Sequence, residues 1–151
     1  MRTKGKVTVL YTYFAAQGDR EAATTAAGID AELAGVVVKG VDPLDELVRL
    51  ESVLTGRSLE EIRSDPRHGW VVAEFDEGDC VVLSLTDSLT RALASTEPDV
   101  LRRTVSNAAG AGGSLSIVAD RPALTDFTAA LAALARRGVS DGHKLYCRIA
   151  P

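Results

Sequence analysis

The chain has 151 residues, of which 46% are hydrophobic and 25% charged, with 17 Lys and Arg against 21 Asp and Glu for a net charge of −4. A chain of that length buries roughly 70% of its unfolded surface, enough for an apolar core without disulfide staples. An isoelectric point near 5.2 disfavours nucleic acid as a partner, and no run approaches the ~20 apolar residues of a membrane span.

The residues over 7–14 are rich in β-branched and aromatic types, with apolar side chains on both alternating faces, which predicts an interior strand. The basic start that precedes it leads into an apolar run broken by Thr8, Thr12 and Gln17, with no clean cleavage site, so a secretory leader is not expected and the location reads as cytoplasmic. Gly18 and Asp19 open an Ala-rich helix over 20–27 that Gly28 ends. A second strand over 33–39 contains Val36, Val37 and Val38 between Gly35 and Gly40. Asp42-Pro43 has the form of a helix start, because Asp accepts free amide protons and Pro is tolerated at the first helical position. That helix is predicted to run to Leu54 and stop at Thr55-Gly56, with Leu44, Leu47, Leu50, Val53 and Leu54 facing the core. Ser58 and Glu61 have capping-box spacing and start a short helix through Arg63, which Asp65-Pro66 breaks.

Two apolar runs over 70–75 and 80–85 flank Asp76, Glu77, Gly78 and Asp79, the pattern of a β-hairpin. With Glu77-Gly78 as the loop, Phe75 faces Cys80, Ala73 faces Val82 and Val71 faces Ser84; the other side pairs Val72 with Leu83 and Trp70 with Leu85. A bulged three-residue loop would shift this register. Both faces are largely apolar, so the hairpin belongs to a sheet covered at least partly on two sides. Thr86, Asp87 and Ser88 cap a helix over 88–95, and Glu97-Pro98 restarts one through 107. The Gly- and Ala-rich run over 107–114 reads as a flexible loop, and 115–119 reads equally as strand or helical lead-in. Pro122 begins an amphipathic helix with Leu124, Phe127, Leu131 and Leu134 on one face, Arg136-Arg137 at its negative end and Gly138 as its stop; a last strand covers 143–149. The sum is a single α+β domain over 1–151, in which a four- or five-stranded sheet containing a central β-hairpin is packed with about five helices.

Local signs of catalysis are missing. Gly110 to Gly113 follows a helix and lacks the spacing of a phosphate-binding loop. His143 and Cys147 project from the same side of the last strand, but at ~3.3 Å per residue they stand about 13 Å apart, far beyond contact. Cys80 and His68 lie near opposite ends of the hairpin, and both cysteines read as buried thiols in a reducing compartment. Two isolated histidines without a Cys-His cluster predict no metal, the acidic turn lacks the length of an EF-hand loop, and no cofactor is implied. Arg102-Arg103 and Arg136-Arg137 are ordinary surface pairs, and Tyr11, Tyr13 and Phe14 read as core.

Charge divides unevenly along the chain. Residues 40–79 hold eleven acidic and four basic side chains, a balance of −7, against +1 for 1–39 and +2 for 80–151. Clustered carboxylates focus field and speed encounter with cations. The leading expectation is a non-enzymatic protein-binding module, in its most concrete form an immunity-type inhibitor of a basic toxin. Asp45, Glu46, Glu60, Glu61, Asp76, Glu77 and Asp79 are its candidate contacts. Two alternatives stand beside it. A small hydrolase or transferase would gather His68 or His143 with carboxylates in a closed cleft, and a structural subunit of a larger assembly would expose an apolar patch.

Three stretches carry a resemblance: Leu10-Tyr11-Thr12-Tyr13-Phe14, the run from Val41-Asp42-Pro43 to Leu54-Thr55-Gly56, and the run from Leu134-Ala135-Arg136-Arg137 to Leu145-Tyr146-Cys147. In this order they resemble a group of small, uncharacterised actinobacterial proteins. The resemblance implies an intracellular bacterial protein and brings no catalytic residue with it.

Overall fold

A computed structural model describes residues 9–26, 35–39, 43–44, 46–108 and 121–151. Five strands, β1 (Leu10–Ala16), β2 (Gly35–Lys39), β3 (Val71–Phe75), β4 (Cys80–Ser84) and β5 (Lys144–Ala150), form one antiparallel sheet in the order β2-β1-β5-β4-β3. The first and last strands lie side by side, paired from Leu10 opposite Ala150 to Ala16 opposite Lys144. The interior position predicted for the first strand holds, since β1 pairs with β2 on its other side; residues 7 and 8 fall outside the described residues.

Alternation along β1 and β5 explains why both strands carry apolar residues on both faces. Tyr13, Leu145 and Cys147 face one layer of helices, while Phe14 and Tyr146 face the other side. On the first face lie α2 (Glu46–Thr55), α4 (Asp87–Ser95), α5 (Pro98–Ala108) and α6 (Arg121–Ser140); α1 (Asp19–Ala26) covers the second face, against β1, β3 and β4. The short α3 (Leu59–Arg63) packs on α2. Leu124, Phe127, Leu131 and Leu134 are all buried, as their three-four-three spacing predicts, and Phe127 meets the Tyr13 ring at 5.3 Å between centroids. Each such side chain contributes about 2 kcal/mol by leaving water. Among the described residues, no helix is long and apolar enough to cross a membrane.

Three details depart from the sequence reading. The helix expected from Pro43 begins at Glu46, and Pro43 and Leu44 form a turn before it; Asp42 lies outside the described residues. Helix α6 passes through Gly138 and ends two residues later. Its stop is Gly142 at φ +74°, where the amides of Gly142 and His143 donate to the carbonyls of Val139 at 3.1 Å and Gly138 at 2.7 Å, a Schellman cap. The hairpin keeps Phe75 opposite Cys80 and Ala73 opposite Val82, but Val71 faces Leu83 instead of Ser84 because Val72 is an extra, bulged residue. Beyond the bulge, Ser84 N donates to Trp70 O at 2.9 Å and Gly69 N to Ser84 O at 3.2 Å, so the expected pairing of Trp70 with Leu85 does not form. The hairpin, central in the chain, forms one end of the sheet and leaves β3 as an edge. Of the loop expected over 107–114 and the undecided run over 115–119, residues 107 and 108 complete α5 and the rest lie outside the described residues.

Candidate protein-docking surface

The described acidic residues of the middle segment, together with Asp19 and Asp87 on either side of it, fall into two populations. One is consumed inside the molecule. Glu51 on α2 is only 2% exposed, and its carboxylate accepts from Thr86 Oγ1 at 2.7 Å, from Ser88 Oγ, and from Arg57 Nη1 at 3.1 Å. The same guanidinium lies 3.6 Å from Asp65. A second network ties α1 to β5 and the start of α4: Tyr146 Oη donates to Asp19 Oδ1 at 2.7 Å, Arg67 Nη2 donates to the same oxygen at 3.1 Å, and Lys144 Nζ donates to both oxygens of Asp87 at 3.1 Å. The Arg67 guanidinium stands 5.7 Å from the centre of the Tyr146 ring. Burial pushes the Asp19 carboxyl up, but hydrogen bonds from Tyr146 and Arg67 outweigh it and hold the group below the usual carboxylate range. Burial, and then the Asp19 carboxylate, push the Tyr146 hydroxyl well above its ordinary value, so it stays a proton donor.

The other population faces outward. Asp76, Glu77 and Asp79 are exposed in the tight turn between β3 and β4, and Glu74 is exposed on β3 itself. Asp76 and Glu77 adopt φ values of +54° and +56°, and Gly78 follows at +91°. Asp tolerates this left-handed region better than Glu does, so the turn carries strain at Glu77. Glu60 and Glu61 are exposed in the first turn of α3, where the Glu61 carboxylate accepts from Ser58 N at 3.3 Å and Ser58 Oγ accepts from Glu61 N at 3.1 Å, the predicted capping box. Helix α3 packs chiefly on α2, whereas the turn touches β3 and β4. The structure therefore brings Asp76, Glu77 and Asp79 together and leaves Glu60 and Glu61 as a separate pair. Glu46 is buried at the start of α2, where a carboxylate complements the free amides of the first turn, and so it is no part of an outward surface. Asp45 lies outside the described residues.

Nothing in the sequence signalled the exposed apolar residues at the start of β3. Trp70 is 59% exposed, with Val71 at 45% and Leu44 at 45%. Gly69, at φ +64°, is so close to the Leu44 side chain that a β-carbon there would overlap it, which places Leu44 against the entry to β3. The edge of the sheet thus runs from an apolar end at Leu44, Trp70 and Val71 to an acidic end at Glu74, Asp76, Glu77 and Asp79.

Among the described residues, the surroundings of His68 leave no room for a substrate. His68 lines a cavity of ≈ 10 Å³ together with Glu51, Ser84 and Thr86. That volume holds about one water and excludes a substrate. Burial, aided by Arg63, lowers the His68 pKa from 6.5, while Glu51 and Asp65 act in the opposite sense. A groove of ≈ 350 Å³ between α5 and α6 is rimmed by Asp99, Arg102, Asp126 and Arg136, with neither His nor Cys among its described lining residues. Cys80 and Cys147 are buried free thiols.

No family model matches this chain, and no curated protein or solved structure was found to be similar to it.

Proposed function

We propose that the chain is a non-enzymatic, cytoplasmic protein-binding module that docks a basic protein partner on the surface formed by Trp70, Val71 and the acidic turn. The observation that supports this reading is that one edge strand carries the exposed Trp70 at its start and Glu74, Asp76, Glu77 and Asp79 toward its end, none of these carboxylates forming an ion pair among the described residues. A large aromatic side chain anchors an interface when a partner desolvates it, and charges at the rim set approach and register. The same carboxylates repel phosphates, which disfavours nucleic acid as the partner. An immunity-type inhibitor of a basic toxin is the most concrete form of the reading. The small cavity beside His68 supports neither hydrolase nor transferase chemistry, and an apolar strip flanked by carboxylates suits a regulated encounter better than a permanent subunit contact.

The test begins with affinity capture from the native cell, comparing the wild-type chain with a variant carrying Asp76→Lys, Glu77→Lys and Asp79→Lys. The captured partner should carry net positive charge. Charge reversal should slow its association about 10-fold or more at low salt, with the difference shrinking as salt rises. Equal association rates for the two proteins at low salt would dispose of the proposal.

A further inference from the structure

We infer that the partner docks by strand addition: an extended segment of the basic protein pairs antiparallel with the open edge of β3, its cationic residues beside the turn and its apolar residues over Trp70 and Leu44. The inference rests on the docking reading above and adds the mode of recognition and the chemistry of the segment.

Among the described residues, β3 has β4 on one side and no strand on the other, so one row of its backbone donors and acceptors faces outward. Open edges recruit extended peptides through main-chain hydrogen bonds, while flanking side chains select the sequence. Every ladder in this sheet is antiparallel, and an added antiparallel strand continues that pattern. The polarity of β3 then fixes the order of the guest. Its first residues lie beside the acidic turn and are basic; its last lie beside Trp70 and are apolar.

Charge also separates this occupant from others. Residues 70–79 contain Glu74, Asp76, Glu77 and Asp79 and no Lys or Arg, so a second copy of β3 would leave all of these carboxylates unmatched. The opposite edge, β2, reads Gly-Val-Val-Val-Lys and has no carboxylate to select a cation. The bulge at Val72 and the charge on Glu74 guard β3 against indiscriminate pairing, leaving an edge that suits a basic guest.

The chain's single tryptophan is Trp70, so its fluorescence reports docking directly. The probe is a capped synthetic peptide, Arg-Lys-Arg-Thr-Val-Thr-Val. Its addition should move Trp70 emission to the blue and saturate. N-methylation of alternate backbone amides on the pairing edge should weaken binding about 10-fold or more, because each loses a ladder hydrogen bond. The peptide in reversed order should bind about 10-fold more weakly as well, since its charges then face Trp70. Equal binding of the N-methylated and parent peptides would overturn strand addition while leaving the acidic docking surface intact. So would absence of binding by any peptide alongside carboxylate-dependent capture of the cellular partner. Capture that ignores the carboxylates would instead remove the underlying reading.

Discussion

Replacing Glu51 by Ala is a severe test of the internal network, because it removes the one buried carboxylate that joins α2, the loop before α4 and Arg57. Glu51 is 2% exposed, whereas its partner Arg57 is 29% exposed and keeps Asp65 at 3.6 Å. Losing a half-solvated ion pair costs about 1 kcal/mol. The Thr86 hydroxyl, buried beside Glu51, loses its acceptor, and an orphaned donor in that setting costs about 2 kcal/mol. Ser88 is half-buried and can turn toward water, which adds about 0.5 kcal/mol. The expected loss is therefore about 3 to 4 kcal/mol. Urea unfolding with a slope of about 2 kcal/mol per molar would show the midpoint falling by roughly 1.5 to 2 M, with the slope unchanged. Glu51→Gln retains an acceptor and should lose about half as much. Glu60→Ala, the same chemistry on an exposed face, should stay within about 0.5 kcal/mol. A Glu51→Ala loss no larger than that of Glu60→Ala would refute the network.

Four further outcomes follow from single groups. Glu77→Gly relieves a left-handed residue at φ +56° and should raise stability by about 1 kcal/mol, read as a higher midpoint in urea. Asp19 has a carboxyl depressed below 3.8 in the fold, so its contribution is fully present above that value and is lost as pH falls through the lower folded value; acid titrations of Asp19→Asn should therefore lack part of the wild-type loss of stability below pH 3.8. His68 should titrate below 6.5 by NMR, and because the neutral form is favoured in the fold, its stabilisation is complete above 6.5 and declines as pH drops through the folded value. Removing the Glu51 charge should lower the His68 value further, since Glu51 is one of the groups that raise it.

Much of the framework was legible because it follows from periodicity and local chemistry. The spacing of Leu124, Phe127, Leu131 and Leu134 commits one face of α6 to the core, and Ser58 with Glu61 marks the start of α3 within three residues of chain. Gly138 was expected to stop α6, but the helix passes through it, because the left-handed φ that ends the helix is adopted by Gly142. The bulge at Val72 left no trace in a run where neighbouring residues are all apolar, so the expected pairing set Trp70 opposite Leu85 and gave no sign of its exposure. The acid block misled in the opposite direction. Residue type alone does not distinguish Glu51, held by a guanidinium six residues away and hydroxyls 35 and 37 residues away, from the solvated Glu60. The link from Asp19 to Tyr146 spans 127 residues and depends on β5 returning beside β1, which no local pattern records.

The docking surface is tested most directly by mapping amide chemical-shift changes on the isotopically labelled chain as the captured basic partner is added. The account predicts the largest changes at Gly69 to Phe75 and at Asp76 to Asp79, with Trp70 indole among the strongest. Changes centred on the groove between α5 and α6, or on Glu60 and Glu61, with the β3 edge unmoved, would contradict it.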